Sequence, residues 1–338
     1  MREYSTISGI QRVQLGLLNY VIFRSNLDHA TVVFWEGGLL WSIGNTSLQK
    51  LMTFYNSVVE MDERRNLVNS TLASAQPIRP GMYDTFVVTG AIWMRQNAAA
   101  DHAKVKQNGT RLGAYIYDFI PLSNPEFCHP YLTERFSETI SDLLIQIDFA
   151  FTISDYVGLE LKRLRSNAGF PPIPVTTVLL AHAFAEDGHA GQWVAQTKAL
   201  QAKEFVLCVG SLAAHKNHVY ALQVWRLLLE QGIEPPTLVL AGKQGYGVDD
   251  LLNQLKTSHQ LGGRVRIIEN LNDSALSTLY ANCLFTLFPS FVEGWGLPIG
   301  ESLAHGKVCI ASNTTSIHEV GGDFVNYIDP SYHLSVLA

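Results

Sequence analysis

Apolar and polar positions fall into short apolar runs separated by longer stretches of helical period. FVVTGA, from Phe86 to Ala91, is followed by the helix-period AKVKQNG. LGAYIYDFIP, from Leu112 to Pro121, and a long segment from Tyr131 to Ile147 come next. That alternation is the strand-helix-strand rhythm of a parallel sheet. The second half repeats it more clearly. Predicted strands at 205–210, 237–242, 264–269, 284–289 and 307–312 are separated by predicted helices from Val219 to Glu230, Asp249 to Leu255 and Ala275 to Asn282, and by a short helix after a glycine-rich loop. Between the halves, the polar, small-residue stretch after Phe184 carries no strand pattern and reads as a linker. The pattern predicts an α/β chain of two Rossmann-like domains with a cleft between them: residues 1–184, a linker at 185–203, and residues 204–338. In such sheets ligands bind beyond the carboxyl ends of the strands, so the loops after Gly210, Gly242 and Pro289 are where chemistry is expected.

Composition narrows the function classes. Of 338 residues, 47% are apolar and 16% charged, with 30 acidic against 24 basic side chains and a net charge of −6. That excludes disorder as the main state and gives no diffuse positive field for nucleic acid. No run reaches the roughly eighteen apolar residues of a membrane-spanning helix. The richest early run, Thr31 to Ile43, is broken by Glu36, Gly37 and Gly38. The N-terminus, MREYSTISG, lacks a signal-peptide core, so a cytoplasmic location is expected. Cys208, Cys283 and Cys309 sit in apolar runs and none of the cysteines forms a CxxC pair, which makes them buried small hydrophobes.

PSFVEGWGLPIGESLAHG, from Pro289 to Gly306, is the most informative segment. Gly294 and Gly296 let the backbone approach a ligand, and Pro298 suits a first helical turn, where its missing N–H costs nothing. The helix start then offers free amides and a favourable dipole to phosphate. Glu293 precedes the turn and Glu301 is expected in the opening turn of the helix. Carboxylates beside an anion site suit neutral hydroxyls as partners, the groups that sugars and riboses present. The plainer alternative is that Glu301 complements the helix dipole and Glu293 is a solvated loop residue.

This segment resembles the E-x(7)-E motif of retaining glycosyltransferases of family 4, which have the GT-B fold. The likeness runs from LNDSALSTLYANC through VGGDFVNYIDP. Upstream, VGSLAAHKNH is similar to that family's diphosphate-binding loop and AGKQGYG to its following strand and turn. In the first half, SGIQRV (Ser8 to Val13) and YDFIPLSNPEF (Tyr117 to Phe127) resemble a branch that builds bacterial surface polysaccharides. The resemblance implies two Rossmann-like domains whose parallel sheets face each other across a cleft. It implies that Glu301 binds the donor ribose and that Glu293 contacts donor-sugar hydroxyls. The amides of Gly294, Trp295 and Gly296, with the helix start at Leu297, lie near the sugar and diphosphate. Lys216 meets the diphosphate, Asp118 stands near the acceptor, and Gly9 and Arg12 face the donor. Family members usually carry an arginine just before the lysine or just after the strand glycine, whereas this chain has His215 and Ser211 there. A protonated His215 is the available substitute, but its ordinary pKa of about 6.5 leaves it mostly neutral at pH 7 unless the diphosphate raises it, so a weaker or more pH-dependent donor site is expected.

The implied reaction moves a sugar from a nucleoside diphosphate, GDP-mannose by the SGIQRV branch, to an acceptor hydroxyl with retention of configuration. The acceptor is a saccharide or lipid-linked saccharide, with at most peripheral contact at the inner face of the cytoplasmic membrane. No cofactor is expected. No Asp-x-Asp occurs to anchor a metal, and His215 and His218 lack an evident third ligand. Two rivals stand beside this reading. One is an inactive GT-B fragment or nucleotide-binding module, motivated by the missing arginine and by the chain ends. Eight residues precede Gly9 and eight follow Pro330, too few for the first strand and closing helices of relatives. The other is a sugar-nucleotide epimerase, which shares the fold.

Overall fold

The computed structural model describes residues 9–24, 30–55, 61–107, 109–181 and 193–331. The chain divides into two compact units. The first comprises Met1–Ile116, Glu138–Phe151 and Phe170–Val175, and the second Tyr117–Ser137, Thr152–Gly169 and Thr176–Ala338. Asp118 and the Ser154 segment thus share a unit with the Pro289 to Gly306 loop.

The first unit contains an element absent from the sequence expectation. The run from Thr31 to Ile43 folds as an antiparallel hairpin of β1 (Val32–Glu36) and β2 (Leu39–Ile43) across a Gly37–Gly38 turn, extended by β3 (Gln76–Ile78). The two glycines that interrupt the run make the turn, and Glu36 closes β1 opposite Leu39. Ile43, Leu48 and Ala75 are its buried centre. A second sheet follows the predicted rhythm, in the order β4 (Thr85–Val88), β5 (Arg111–Ile116), β6 (Phe149–Thr152) and β7 (Val175–Thr177), with β4 and β5 parallel.

The second unit is a six-stranded parallel sheet in the order β10 (Val265–Ile268), β9 (Thr237–Ala241), β8 (Phe205–Val209), β11 (Thr286–Phe288), β12 (Cys309–Ser312) and β13 (Val325–Ile328). Its central strands are continuous apolar runs because both faces are covered, as parallel sheets require. One face packs on the helix His218–Glu230, which buries Tyr220, Ala221, Leu222, Val224 and Trp225. The other packs on Tyr280, Leu279 and Leu200. Cys208, Cys283 and Cys309 are free and buried, as expected of small hydrophobes. Residues 185–192 of the expected linker lie outside the described residues. From Trp193 the chain is ordered, and a turn at Lys198–Leu200 drives Leu200 into this core. Among the described residues no helix is long and apolar enough to cross a membrane.

Candidate active site

Strands β8 and β11 are neighbours, so the segments that leave their carboxyl ends emerge side by side. After β8 the chain makes a short turn at Ala214–Lys216. It then enters the helix through Asn217 in the left-handed region (φ 53°, ψ 42°), held by a 3.0 Å hydrogen bond from its side chain to the Pro330 carbonyl. This places Lys216 over the Phe288 ring, 5.4 Å from its centroid, with Nζ 2.5 Å from Oε1 of Glu293. The two side chains are 16% and 9% exposed. Charges so withdrawn from water are stable only as a pair. The Lys216 ammonium therefore begins from an ion pair with the first glutamate of the motif. It carries three donors and the pair uses one.

The loop after β11 is shaped by its glycines, though not as its sequence suggested at Gly294. A Cβ there would lie 2.1 Å from the carbonyl oxygen of Tyr117, so the residue is glycine because another stretch of backbone crosses it. Gly296 has φ +112°, a conformation side chains rarely adopt, and the helix Leu297–Ala304 starts directly after it. Neighbouring hydroxyls hold the loop. Ser154 Oγ donates to the Gly294 carbonyl at 2.8 Å, Ser316 Oγ to the carbonyls of Glu293 and Trp295 at 3.0 and 3.2 Å, and Thr315 Oγ1 accepts from the Glu293 amide at 3.1 Å.

Glu301 lies one turn deeper than expected. It is the fifth residue of its helix, beyond the reach of the terminal amides, and its side chain is buried. Oε2 accepts a 2.8 Å hydrogen bond from the hydroxyl of Tyr280. The Tyr280 ring stacks on His305, whose Nδ1 and Nε2 contact the Glu301 carbonyl oxygen and Ser277 Oγ at 2.8 and 2.9 Å. Dipole complementation, which acts within the first turn, does not account for this placement.

Asp118 follows β5 by two residues and accepts a 3.0 Å hydrogen bond from the Ile120 amide. Burial pushes its carboxyl up to about 6; the Ile120 bond opposes that shift, the Glu293 charge adds to it and Lys216 opposes it. Asp118, Glu293 and Lys216 thus share one electrostatic neighbourhood. His215 sits beside them, but burial, with Lys216 adding, lowers its imidazole to about 4. It is neutral at pH 7, as its ordinary value already implied, and burial widens that margin. His218, the first residue of its helix, is held lower still, at about 3, by burial and then Lys216. Nδ1 of both histidines lacks a hydrogen-bond partner among the described residues. Among those residues no three His, Cys, Asp or Glu side chains stand where they could hold a metal ion.

Ser211 is exposed at the end of β8, and Trp295 is 4% exposed, so its indole is packed and its backbone alone shapes the loop. Gly9 and Arg12 open the helix Gly9–Asn19 of the other unit. The sequence reading missed Ser154, Tyr280, Thr315 and Ser316. Ser154 carried a readable signal as the cap of the helix Asp155–Asn167, accepting from the Val157 amide at 3.2 Å. Nothing local in the sequence pointed to its second bond, to Gly294.

Residues 191–332 match the family model described as Glycosyl transferases group 1. The O-antigen chain mannosyltransferase B of Escherichia coli is 31% identical over 221 residues, covering 64% of this chain and 56% of its own length. A serotype-specific mannosyltransferase WbdA of the same organism is 28% identical over 196 residues, covering 55% of this chain and 24% of its own length. The chain spans about half, or less, of the length of these curated relatives. Among solved structures, Anabaena Alr3699/HepE in complex with UDP and glucose superposes with a TM-score of 0.55 at 16% identity, over 82% of this chain and 71% of that one. The OtsA apo structure gives 0.57 at 15%, over 92% and 80%. These likenesses show the α/β GT-B fold, and the match to the group 1 glycosyl transferase model spans residues 191–332, less than half of the chain.

Proposed function

We propose that this chain is a retaining, metal-independent glycosyltransferase that moves a sugar from a nucleoside-diphosphate donor, GDP-mannose in the first instance, to a hydroxyl of a lipid-linked or surface saccharide at the cytoplasmic membrane face. One observation carries the reading. Beyond two adjacent strand ends of a single sheet, a buried Lys216–Glu293 pair meets a helix-opening backbone loop, with a second buried carboxylate eight positions further on. The O-antigen mannosyltransferase relatives support the substrate class.

The work is mostly stabilisation of a leaving group. The anomeric C–O bond to the diphosphate breaks as a new bond to the acceptor oxygen forms, and the acceptor proton ends on the departing diphosphate. Lys216 turns its remaining donors to that diphosphate, and the amides of Gly294 to Leu297 add positive potential from the helix start. Glu293 keeps one oxygen on Lys216 and offers the other to a donor-sugar hydroxyl, while Glu301 accepts from the ribose. Asp118 positions the acceptor, and Ser211 and His215 line the diphosphate loop. Metal independence rests on the lack of Asp-x-Asp in the chain.

The test is a thermal-shift panel of GDP, UDP and ADP, followed by incubation of GDP-mannose with a lipid-linked saccharide in EDTA. The expected result is selective stabilisation by GDP and mannosyl transfer of unchanged anomeric configuration. Stabilisation by none of the three nucleotides overturns the reading. Binding without transfer or slow hydrolysis marks an inactive module, and epimer formation without acceptor marks an epimerase.

A further inference from the structure

The hydroxyl contacts to the loop after β11 fall in a pattern. The carbonyls of three consecutive residues face a buried serine: Ser316 shares its one hydroxyl proton between those of Glu293 and Trp295, and Ser154 donates to that of Gly294. Both serines are 0% exposed. Among the described residues all peptide bonds are trans. In a trans peptide the carbonyl of one residue and the amide of the next point in opposite directions across a rigid plane. Fixing the carbonyls of Glu293, Gly294 and Trp295 therefore fixes the directions of the amides of Gly294, Trp295 and Gly296. These are the peptide planes that lead into the helix at Leu297.

The serines are themselves held. Ser154 caps the helix Asp155–Asn167, and the next two amides of that helix, of Asp155 and Tyr156, both donate to the Glu319 carboxylate at 2.6 and 2.8 Å. Ser316 is the residue before the helix Ile317–Gly321, which carries Glu319. Two helix starts, tied to each other through Glu319, thus hold the glutamate loop. A glycine-containing loop left to itself would sample many backbone states.

We propose that Ser154 and Ser316 are positioning residues for donor binding, orienting the amides of Gly294, Trp295 and Gly296 toward the diphosphate before the donor arrives. The inference rests on the donor-binding role proposed above for this loop. Neither serine touches the donor; each acts through the peptide planes it holds. Preorganised amides cost nothing to reorient when charge arrives, whereas a loop that must be ordered by the ligand weakens its binding.

The test compares wild-type protein with Ser154→Ala, Ser316→Ala and the hydroxyl-retaining Ser316→Thr. Calorimetry is run with GDP, UDP and ADP, each against its own nucleoside. The expected wild-type result is that one diphosphate binds at least about tenfold more tightly than its nucleoside. In both alanine variants that diphosphate advantage shrinks about tenfold while nucleoside affinity holds, and Ser316→Thr restores it. If no diphosphate outperforms its nucleoside on wild-type protein, the donor-binding reading falls and takes the inference with it. If wild type shows the advantage and the folded alanine variants keep it, or lose diphosphate and nucleoside affinity alike, the inference alone is overturned. Should an alanine variant fail to fold, hydrogen exchange on wild-type protein decides. Slowing at 294–296 by the diphosphate but not by its nucleoside supports the arrangement, and equal exchange overturns it.

Discussion

Tyr280 and Glu301 form a hydrogen-bonded pair inside the second unit, hydroxyl to carboxylate at 2.8 Å, with the tyrosine wholly buried and its ring stacked on His305. Burial and the adjacent Glu301 charge raise the phenol well above its usual range, so it stays a donor at every physiological pH. One oxygen of Glu301 is thus oriented by the protein, which aims the other. A carboxylate meant only to balance a helix dipole needs no such partner.

Tyr280→Phe removes that donor and little volume. We expect donor KM to rise about five- to tenfold with kcat nearly unchanged, and stability to fall by about 1–2 kcal/mol, because a buried carboxylate loses a charge-assisted bond. Steady-state kinetics and urea unfolding check both. A kcat loss exceeding the KM change would place Tyr280 in the chemical step instead.

Lys216→Ala leaves Glu293 as an uncompensated buried charge. We expect a destabilisation of about 3 kcal/mol, and a similar figure for Glu293→Ala, while the double change Lys216→Ala with Glu293→Ala costs clearly less than the sum. A double-mutant cycle in urea measures the coupling. Activity behaves differently: either single change and the double change each cost at least about a hundredfold in kcat/KM, because the diphosphate has lost its cation or the sugar its acceptor.

Much of this was legible in the sequence. Five of the strands in the six-stranded sheet were readable, β13 being the exception, because their runs are buried and bounded by glycine and proline; FVLCV and TLVLA are two of the central strands. The hairpin at β1 and β2 was not, since Glu36, Gly37 and Gly38 were weighed only as interruptions of a hydrophobic run. Within the site, Glu293 and Glu301 stood out as carboxylates beside a helix start, and Lys216 stood out through the resemblance of its loop to a diphosphate-binding loop. Their partners were not: Ser154 lies 140 residues from Gly294 and Tyr280 lies 21 from Glu301. Serine and tyrosine hydroxyls are too common to signal a long-range bond. His215 shows the same limit in degree: its ordinary value of about 6.5 already makes it mostly neutral at pH 7, and the further lowering comes from burial that no local pattern encodes.

Gly294→Ala tests the backbone crossing. With Tyr117 O at 2.1 Å from the new methyl and Asp118 Cβ at 3.1 Å, one backbone segment must shift. We expect a loss of about 3 kcal/mol or more and a parallel loss of nucleotide binding. Gly296→Ala meets no such close backbone contact but must adopt φ +112°, so a smaller loss of about 1–3 kcal/mol is expected. Thermal melts of the two variants rank them, and the reverse order would refute the close-approach account of Gly294.

Acid stability separates two groups of opposite sign. His215 and His218 titrate in the folded unit near 4 and 3, below the ordinary imidazole value of 6.5. As pH falls through that window the unfolded chain takes up protons first, so their contribution to stability is lost toward acid. Asp118 titrates near 6, above its ordinary 3.8, so the folded unit takes up its proton first. Its contribution is full below about 3.8, is lost as pH rises through 6, and opposes the histidines between those limits. Two variants should therefore move the pH dependence in opposite directions. Between pH 4.5 and 7.5, His218→Gln should flatten the rise in stability by about 2 kcal/mol, and Asp118→Asn should steepen it by about 1–2 kcal/mol, discounted for the partial exposure of that carboxyl. Urea midpoints across that range decide. If both variants shift the slope the same way, the burial-driven assignment of one of these groups is wrong.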